Sequence, residues 1–276
     1  MATLNDNVAR TVDAFDNIRD AIIAKGQAIP AGTPVEDYAA KIQAISGGGG
    51  GEPNIVVGLS PLSTKNPGDF ALLKHGNVYR LFVVLHKGLP SSDYVGWENG
   101  VALMQYELPV GRQWYTSNQN NYEISTIRTW LNGTYYDLFD QAVKNNIVEV
   151  RIPYRPGLGT SSVINVGSTG LLTKVFLLSG TEAGNPSTAQ YSTIEGVILD
   201  YFLYGDDTAG SGLLARQRRI AYRDGVAADW WLRSPYLADH SGALSVKVAG
   251  NFLIMAPIGT TVAPRPVFVM NETFVA

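Results

Sequence analysis

The sequence predicts an α+β fold preceded by a small N-terminal helical module. Three observations predict it. After residue 53, a strand-like run is followed by two helix-like segments and then by many strand-like runs, the order of an α+β chain rather than of alternating βα units. Hydrophobic residues make up 45% of 276 positions, enough to build a core. A run of five glycines, "GGGGG", separates a short first part from a long second part.

Residues 1–45 read as two helices. Leu4, Val8, Thr11, Phe15, Ile18 and Ile22 alternate at spacings of three and four, which places them on one seam. Asp6, Asp13, Asp16, Arg19 and Asp20 lie mostly off that seam, and Gly26 is a natural C-terminal stop. The run Thr33-Pro34-Val35-Glu36 then signals a second start. Thr33 caps, Pro34 suits the first turn, and Glu36 bonds back to the cap. Val35, Tyr38, Ile42 and Ile45 continue the apolar stripe. Two helices this short bury too little surface to stand alone. Their seam therefore needs a partner: the rest of this chain, sister copies or a larger assembly. Leu4, Val8, Phe15, Ile18 and Ile22 are the expected oligomerisation contacts. Residues 46–53, "SGGGGGEP", read as a flexible linker that uncouples this module from the second part of the chain.

Residues 54–276 read as one domain. "VYRLFVVLHK" (Val78–Lys87) has the β-branched and aromatic content of a buried strand. "STIRTWLNG" (Ser125–Gly133) reads as a short helix capped by Ser125 and ended by Asn132-Gly133. "TYYDLFDQAVKNNI" (Thr134–Ile147) reads as a second helix. "VEVRIP" (Val148–Pro153) alternates as a strand, and "KVFLLS" (Lys174–Ser179) reads as a compact buried one. "ALSVKV", "NFLIMA" and "PVFVM" read as a hairpin and a final strand. Long Gly/Ser/Thr/Asn loops at Arg155–Gly170, Gly180–Thr193 and Gly205–Gly212 lie between these runs.

Composition narrows the functional classes. The formal net charge is −3 with no basic stripe, which argues against nucleic acid as a partner. Cysteine is absent, so disulfides, thiolate metal sites and thiol nucleophiles are excluded. No apolar run approaches the ~20 residues that span a bilayer, so no membrane partner is expected. The start, "MATLNDNVAR", lacks the basic-then-apolar pattern of a secretion signal, and synthesis in a host cytoplasm is the expectation. His75, His86 and His240 lack helical zinc spacing, and neither a phosphate-binding loop nor a G-x-S-x-G elbow occurs. No metal or cofactor is therefore expected. "GDDTAGSG", with Asp206 and Asp207, offers oxygens to calcium but lacks the ligand pattern of a recognisable loop.

The stretch "DWWLRSP" (Asp229–Pro235) has two readings, a ligand-contacting aromatic platform or a core strand holding one buried charge. In an extended segment Trp231 and Arg233 share one face while Trp230, Leu232 and Ser234 share the other. Arg233 is then a core-edge guanidinium satisfied by carbonyls or a carboxylate. Arg265, between prolines in "PRP", reads the same way.

The motifs "YRLFVVL", "ISTIRTWLNGTYYDLFD", "KVFLLSGTEAG", "DWWLRSP" and "APRPVFVM" occur in order over residues 55–272. Together they resemble an uncharacterised domain of bacterial and phage proteins, itself similar to formylglycine-generating-enzyme and C-type-lectin-like folds. "AIIAKGQAIPAGTPVEDYAAKIQAI" resembles a short helical module of phage tail and baseplate proteins. The first resemblance implies a C-type-lectin-like domain with a structural role for Trp230, Trp231, Arg233 and Arg265. Formylglycine-generating activity is not carried over, because it depends on cysteines this chain lacks.

These resemblances lead to an expected function. The chain is expected to be a non-enzymatic virion protein, a tail-fibre or baseplate adhesin. Residues 1–45 would join other tail or baseplate proteins and trimerise, and the second domain would touch a host-surface glycan or protein. Candidate ligand-binding residues are Tyr236, Asp239 and His240 after the tryptophan motif, with Asn165, Asn185, Tyr191, Tyr204, Asp206 and Asp207 on other loops. Two rival readings stand beside it. One is a capsid or collar decoration that binds no receptor. The other is a glycan hydrolase using a carboxylate pair drawn from Asp206, Asp207, Asp224, Asp229 and Asp239.

Overall fold

The structure is a computed structural model, and it describes residues 60–117, 119–157, 163–185, 194–203, 213–237, 241–256 and 259–276. The chain divides into two units, Met1–Gly58 and Leu59–Ala276. The expected helical module, its seam and the glycine linker fall outside the described residues, as do Tyr191, Tyr204, Asp206, Asp207, Asp239 and His240.

The second unit is mostly β with few, short helices. In chain order the strands are β1 (Phe70–His75), β2 (Val78–Lys87), β3 (Gly100–Gln105), β4 (Ile147–Val148), β5 (Val150–Ile152), β6 (Leu171–Thr173) and β7 (Val175–Phe176). They continue with β8 (Ala221–Arg223), β9 (Val226–Ala228), β10 (Trp230–Pro235), β11 (Ala243–Val246), β12 (Phe252–Met255), β13 (Ala263–Pro264) and β14 (Val267–Asn271). The helices are α1 (Thr126–Trp130), α2 (Gln141–Lys144) and α3 (Leu213–Arg219).

The larger sheet runs β1-β2-β3-β14-β4, with β7 also paired to β14, and curls into a half-barrel. The first and last described strands, β1 and β14, thus share one sheet. The β3–β14 pairing needs Gly100, because a Cβ there would stand 2.3 Å from Val269 Cγ1. Inside the curl, Phe82, Phe139 and Phe268 pack edge-on or tilted, with Phe139 5.0 Å from Phe268 and Phe82 5.2 Å from Phe268. A second sheet, β12-β11-β10-β13, carries the tryptophan motif on β10, which pairs antiparallel with β11 and parallel with β13. Among the described residues no helix is long and apolar enough to cross a membrane.

Several elements differ from the sequence reading, each for a local reason. The helix expected to stop at Asn132-Gly133 starts as predicted, with Ser125 Oγ accepting from Arg128 N at 3.3 Å. It then runs on as a π turn over Leu131–Tyr135. Asn132 does not cap it, because its side chain is spent elsewhere. Its Nδ2 donates to Arg128 O and Val175 O, and its Oδ1 accepts from Thr173 Oγ1, Lys174 N and Val175 N. The expected second helix over 134–147 shrinks to α2, restarted by Asp140, whose side chain accepts from Val143 N at 3.0 Å. "VEVRIP" splits at Glu149, because β4 pairs with β14 while β5 pairs with β6. "KVFLLS" is a strand only over Val175–Phe176, and its next carbonyl, Leu177 O, accepts from the buried Arg233 guanidinium instead.

Candidate functional site

Every residue of β10 is buried, because sheet partners flank it and packing covers both faces. Trp230 and Trp231 are therefore core, and their indole N–H groups donate to Arg219 O at 2.8 Å and Arg112 O at 2.9 Å. Arg233 lies in the interior rather than at its edge, with 0% exposure. Its guanidinium donates to both oxygens of Glu182, to Leu177 O at 2.8 Å and twice to Pro153 O. Glu195 Oε1 lies 3.3 Å from Arg233 Nε.

Each carboxylate has further donors. Glu182 accepts from Tyr94 Oη at 2.8 Å and Ser179 N at 2.9 Å. Glu195 accepts from Ser234 Oγ and from Arg155 N at 3.2 Å. Burial alone pulls the Arg233 pKa down, but the Glu182 and Glu195 charges outweigh it and hold the group above the usual range. Burial pushes Glu195 up against the pull of Arg233, and it pushes the Tyr94 hydroxyl up with help from the Glu182 charge. Arg233 thus stands against two carboxylates in a buried, hydrogen-bonded knot to which Arg155 adds its backbone N–H. The pair Glu182–Glu195 is the one carboxylate pair that the described residues bring together around a cation. Both are buried, so this knot lies inside the fold.

Arg265 is buried as well. Its Nε donates to Gln105 O at 3.2 Å and its guanidinium lies 5.2 Å from the Trp230 ring. Burial lowers its pKa to about 10, against opposing contributions from Tyr201 and Tyr106, so it stays charged at neutral pH. The predicted loop residues that are described do not form a site. Asn165 bridges Tyr154 backbone to backbone, and Asn185 is buried and closes a turn on Gly180 O at 2.8 Å. Tyr236 is half-buried and pairs its backbone N–H with Gly242 O. Asp229 meets Lys247 and accepts from Val248 N at 2.9 Å. Asp224 sits at φ 52 in the β8–β9 turn beside Gly225 at φ 75. That backbone is the tight hairpin turn an Asp-Gly pair favours.

That turn helps build a groove the sequence reading missed. Tyr79 and Leu81 share one face of β2 and point to solvent at its first half, before the strand dives into the core. Tyr106 and Glu107 come directly after β3, and Tyr106 N donates to Leu81 O at 3.0 Å. Tyr222 on β8 is held alongside by Leu108 N, which donates to Tyr222 O at 2.8 Å. These residues, with Arg80, Gln105 and Gly225, line a hollow of about 460 Å³. Tyr79 is 68% exposed, Tyr222 42% and Tyr106 38%. Tyr106 is braced from behind by Phe70, edge-on at 5.1 Å. Gln105 is a fixed wall: its Nε2 donates to Glu107 O at 2.6 Å and its Oε1 accepts from Tyr135 Oη at 2.7 Å. Among the described residues no group of acidic and histidine side chains is placed to hold a metal ion.

Together the half-barrel, the tryptophan-bearing sheet and the buried arginines define a mostly β domain with a hydrogen-bonded polar interior, and its exposed tyrosines among the described residues lie around one groove. The chain belongs to a family described as a domain of unknown function (DUF6273), which matches residues 99–272. The match covers β3 to β14, including the Arg233 knot, Tyr106 and Tyr222, and leaves Tyr79–Leu81 outside. No curated protein and no solved structure matches the chain.

Proposed function

We propose that this chain is a non-enzymatic adhesin of a bacteriophage virion, in a tail fibre or baseplate. Its second unit, a C-type-lectin-like domain, binds a host-surface glycan in the groove over Tyr79, Tyr106 and Tyr222. One observation carries this reading. Three tyrosines and Leu81 stand in water around a single hollow, although burying each would stabilise the fold. Flat aromatic faces with a polar tip suit a sugar ring, which presents C–H groups on one side and hydroxyls at its rim. Glu107 supplies a polar group at the edge of the groove. Residues 1–45 attach and trimerise the protein, and linked copies turn weak sites into avid ones.

The test uses the full chain, fluorescently labelled, on bacterial envelopes and their extracted polysaccharides. Binding that falls at least tenfold in Tyr79→Ala/Tyr222→Ala, with unchanged thermal stability, supports the adhesin. Wild-type binding by that variant refutes the groove. A protein that labels no permissive strain is instead a decoration without a receptor.

A further inference from the structure

A second hollow, of about 320 Å³, shares Arg80 and Gln105 with the tyrosine groove. It is also lined by His75, Asn77, Arg112 and Trp130, and no carboxylate lines it. Neither Arg80 nor Arg112 forms an ion pair or a side-chain hydrogen bond among the described residues. Arg233, by contrast, is held by two carboxylates, and Arg128 and Arg151 by backbone carbonyls. Arg112 lies over the Trp130 ring at 4.2 Å, which fixes where its charge sits. The Trp130 indole Nε1 beneath it donates to no group among the described residues. Arg80 stands close enough to His75 to help depress its pKa, which burial first lowers to about 4. The imidazole is therefore neutral at pH 7, and the two guanidiniums are the charges of this hollow.

Solvent-facing guanidiniums converging on a hollow that lacks any carboxylate form a receptor for an oxyanion. We propose that this hollow binds the anionic substituent of the glycan, a carboxylate, sulfate or phosphate carried on the chain that lies over the tyrosines. The inference rests on the glycan-binding reading of the groove and adds its charge class. The net charge of the whole chain is −3, so the overall field does not draw polyanions in, and the attraction has to be local.

Binding of the full chain is measured by calorimetry against four probes: dextran, polygalacturonate, dextran sulfate and poly(glycerol phosphate). The expected result is that one or more anionic chains bind at least tenfold more tightly than dextran, and which of them does so names the substituent. Arg80→Gln and Arg112→Gln each weaken that binding about tenfold, the scale of a lost charge-assisted contact. Lys65→Gln, which removes the same charge outside both hollows, leaves it unchanged. Equal affinity for dextran, or arginine variants that bind as wild type, overturns the anion site while leaving the groove standing. Tyr79→Ala/Tyr222→Ala with wild-type affinity overturns the groove itself, and binding of none of the four probes overturns both.

Discussion

Replacing Arg233 by methionine keeps an unbranched apolar stem and removes the guanidinium and its charge. In the native knot the guanidinium serves Glu182, Glu195, Leu177 O and Pro153 O, all away from water. Among the described residues, Arg233→Met leaves Glu182 with Tyr94 and Ser179 N as its donors and no cation in contact. It leaves Glu195 with Arg155 N and Ser234 Oγ. Breaking a buried pair by deleting one partner costs about 3–5 kcal/mol, because the remaining charge stays desolvated. Domains of this kind are stable by only about 5–15 kcal/mol, so the variant sits near the edge of folding. Urea unfolding of the wild type, Arg233→Met, Glu182→Gln and the double variant measures the coupling. With a slope of about 2 kcal/mol per molar, Arg233→Met lowers the midpoint by about 2 M. The double variant loses at least about 2 kcal/mol less than the sum of the singles, since each single strands the other's charge. Additive losses, or an Arg233→Met cost below about 1 kcal/mol, refute the claim that this cluster is the closed electrostatic centre of the fold.

Three other outcomes rest on the geometry. Gly196 sits at φ +89 and its Cβ would stand 2.2 Å from Tyr94 Oη, so Gly196→Ala strains the backbone and pushes Tyr94 off Glu182. A loss of about 2 kcal/mol or more is expected by thermal melting, and an unchanged midpoint contradicts the placement of Tyr94. His75 is held neutral in the fold, with a pKa near 4 against an ordinary 6.5, so the unfolded chain takes up the proton first. Stability is full above pH 6.5 and falls as pH drops toward 4, by up to about 3 kcal/mol. Glu195, whose pKa is raised, acts in the opposite sense, and His75→Gln isolates the histidine part by flattening the slope. Gly100→Ala forces Val269 aside and loosens β3 from β14, expected to cost about 1–3 kcal/mol and to speed hydrogen exchange at Val101–Met104.

Much of the framework was legible in the sequence, and the reason is local chemistry. Val78–Lys87 is a strand because its branched and aromatic residues fit a pleated surface, and both ends fall where the pattern puts them. Ser125 caps its helix through the same oxygen the sequence suggests. What failed was long-range. Asn132-Gly133 looks like a helix stop until β6 and β7 claim the Asn132 side chain from some forty residues away. Glu182 lay in a loop rich in Gly, Ser and Thr and Glu195 just after it, and nothing local shows that Arg233 will meet them in the core. The groove escaped for the same reason. Tyr79, Tyr106 and Tyr222 come from three distant stretches, and only the fold sets them side by side. One signal was present: Tyr79-Arg80-Leu81 opens a strand whose later residues alone suffice for the core, so its first half was free to face outward.

Under the proposed function, binding falls to the tyrosine and arginine hollows, while the buried tryptophan-arginine motif supports the fold. Hydrogen exchange of the full chain, with and without saturating envelope polysaccharide, separates the two most directly. Slowed exchange is expected at Tyr79–Leu81, Gln105–Glu107 and Tyr222. Slowing confined to the loop after Pro235, with the groove unchanged, would contradict this division of roles.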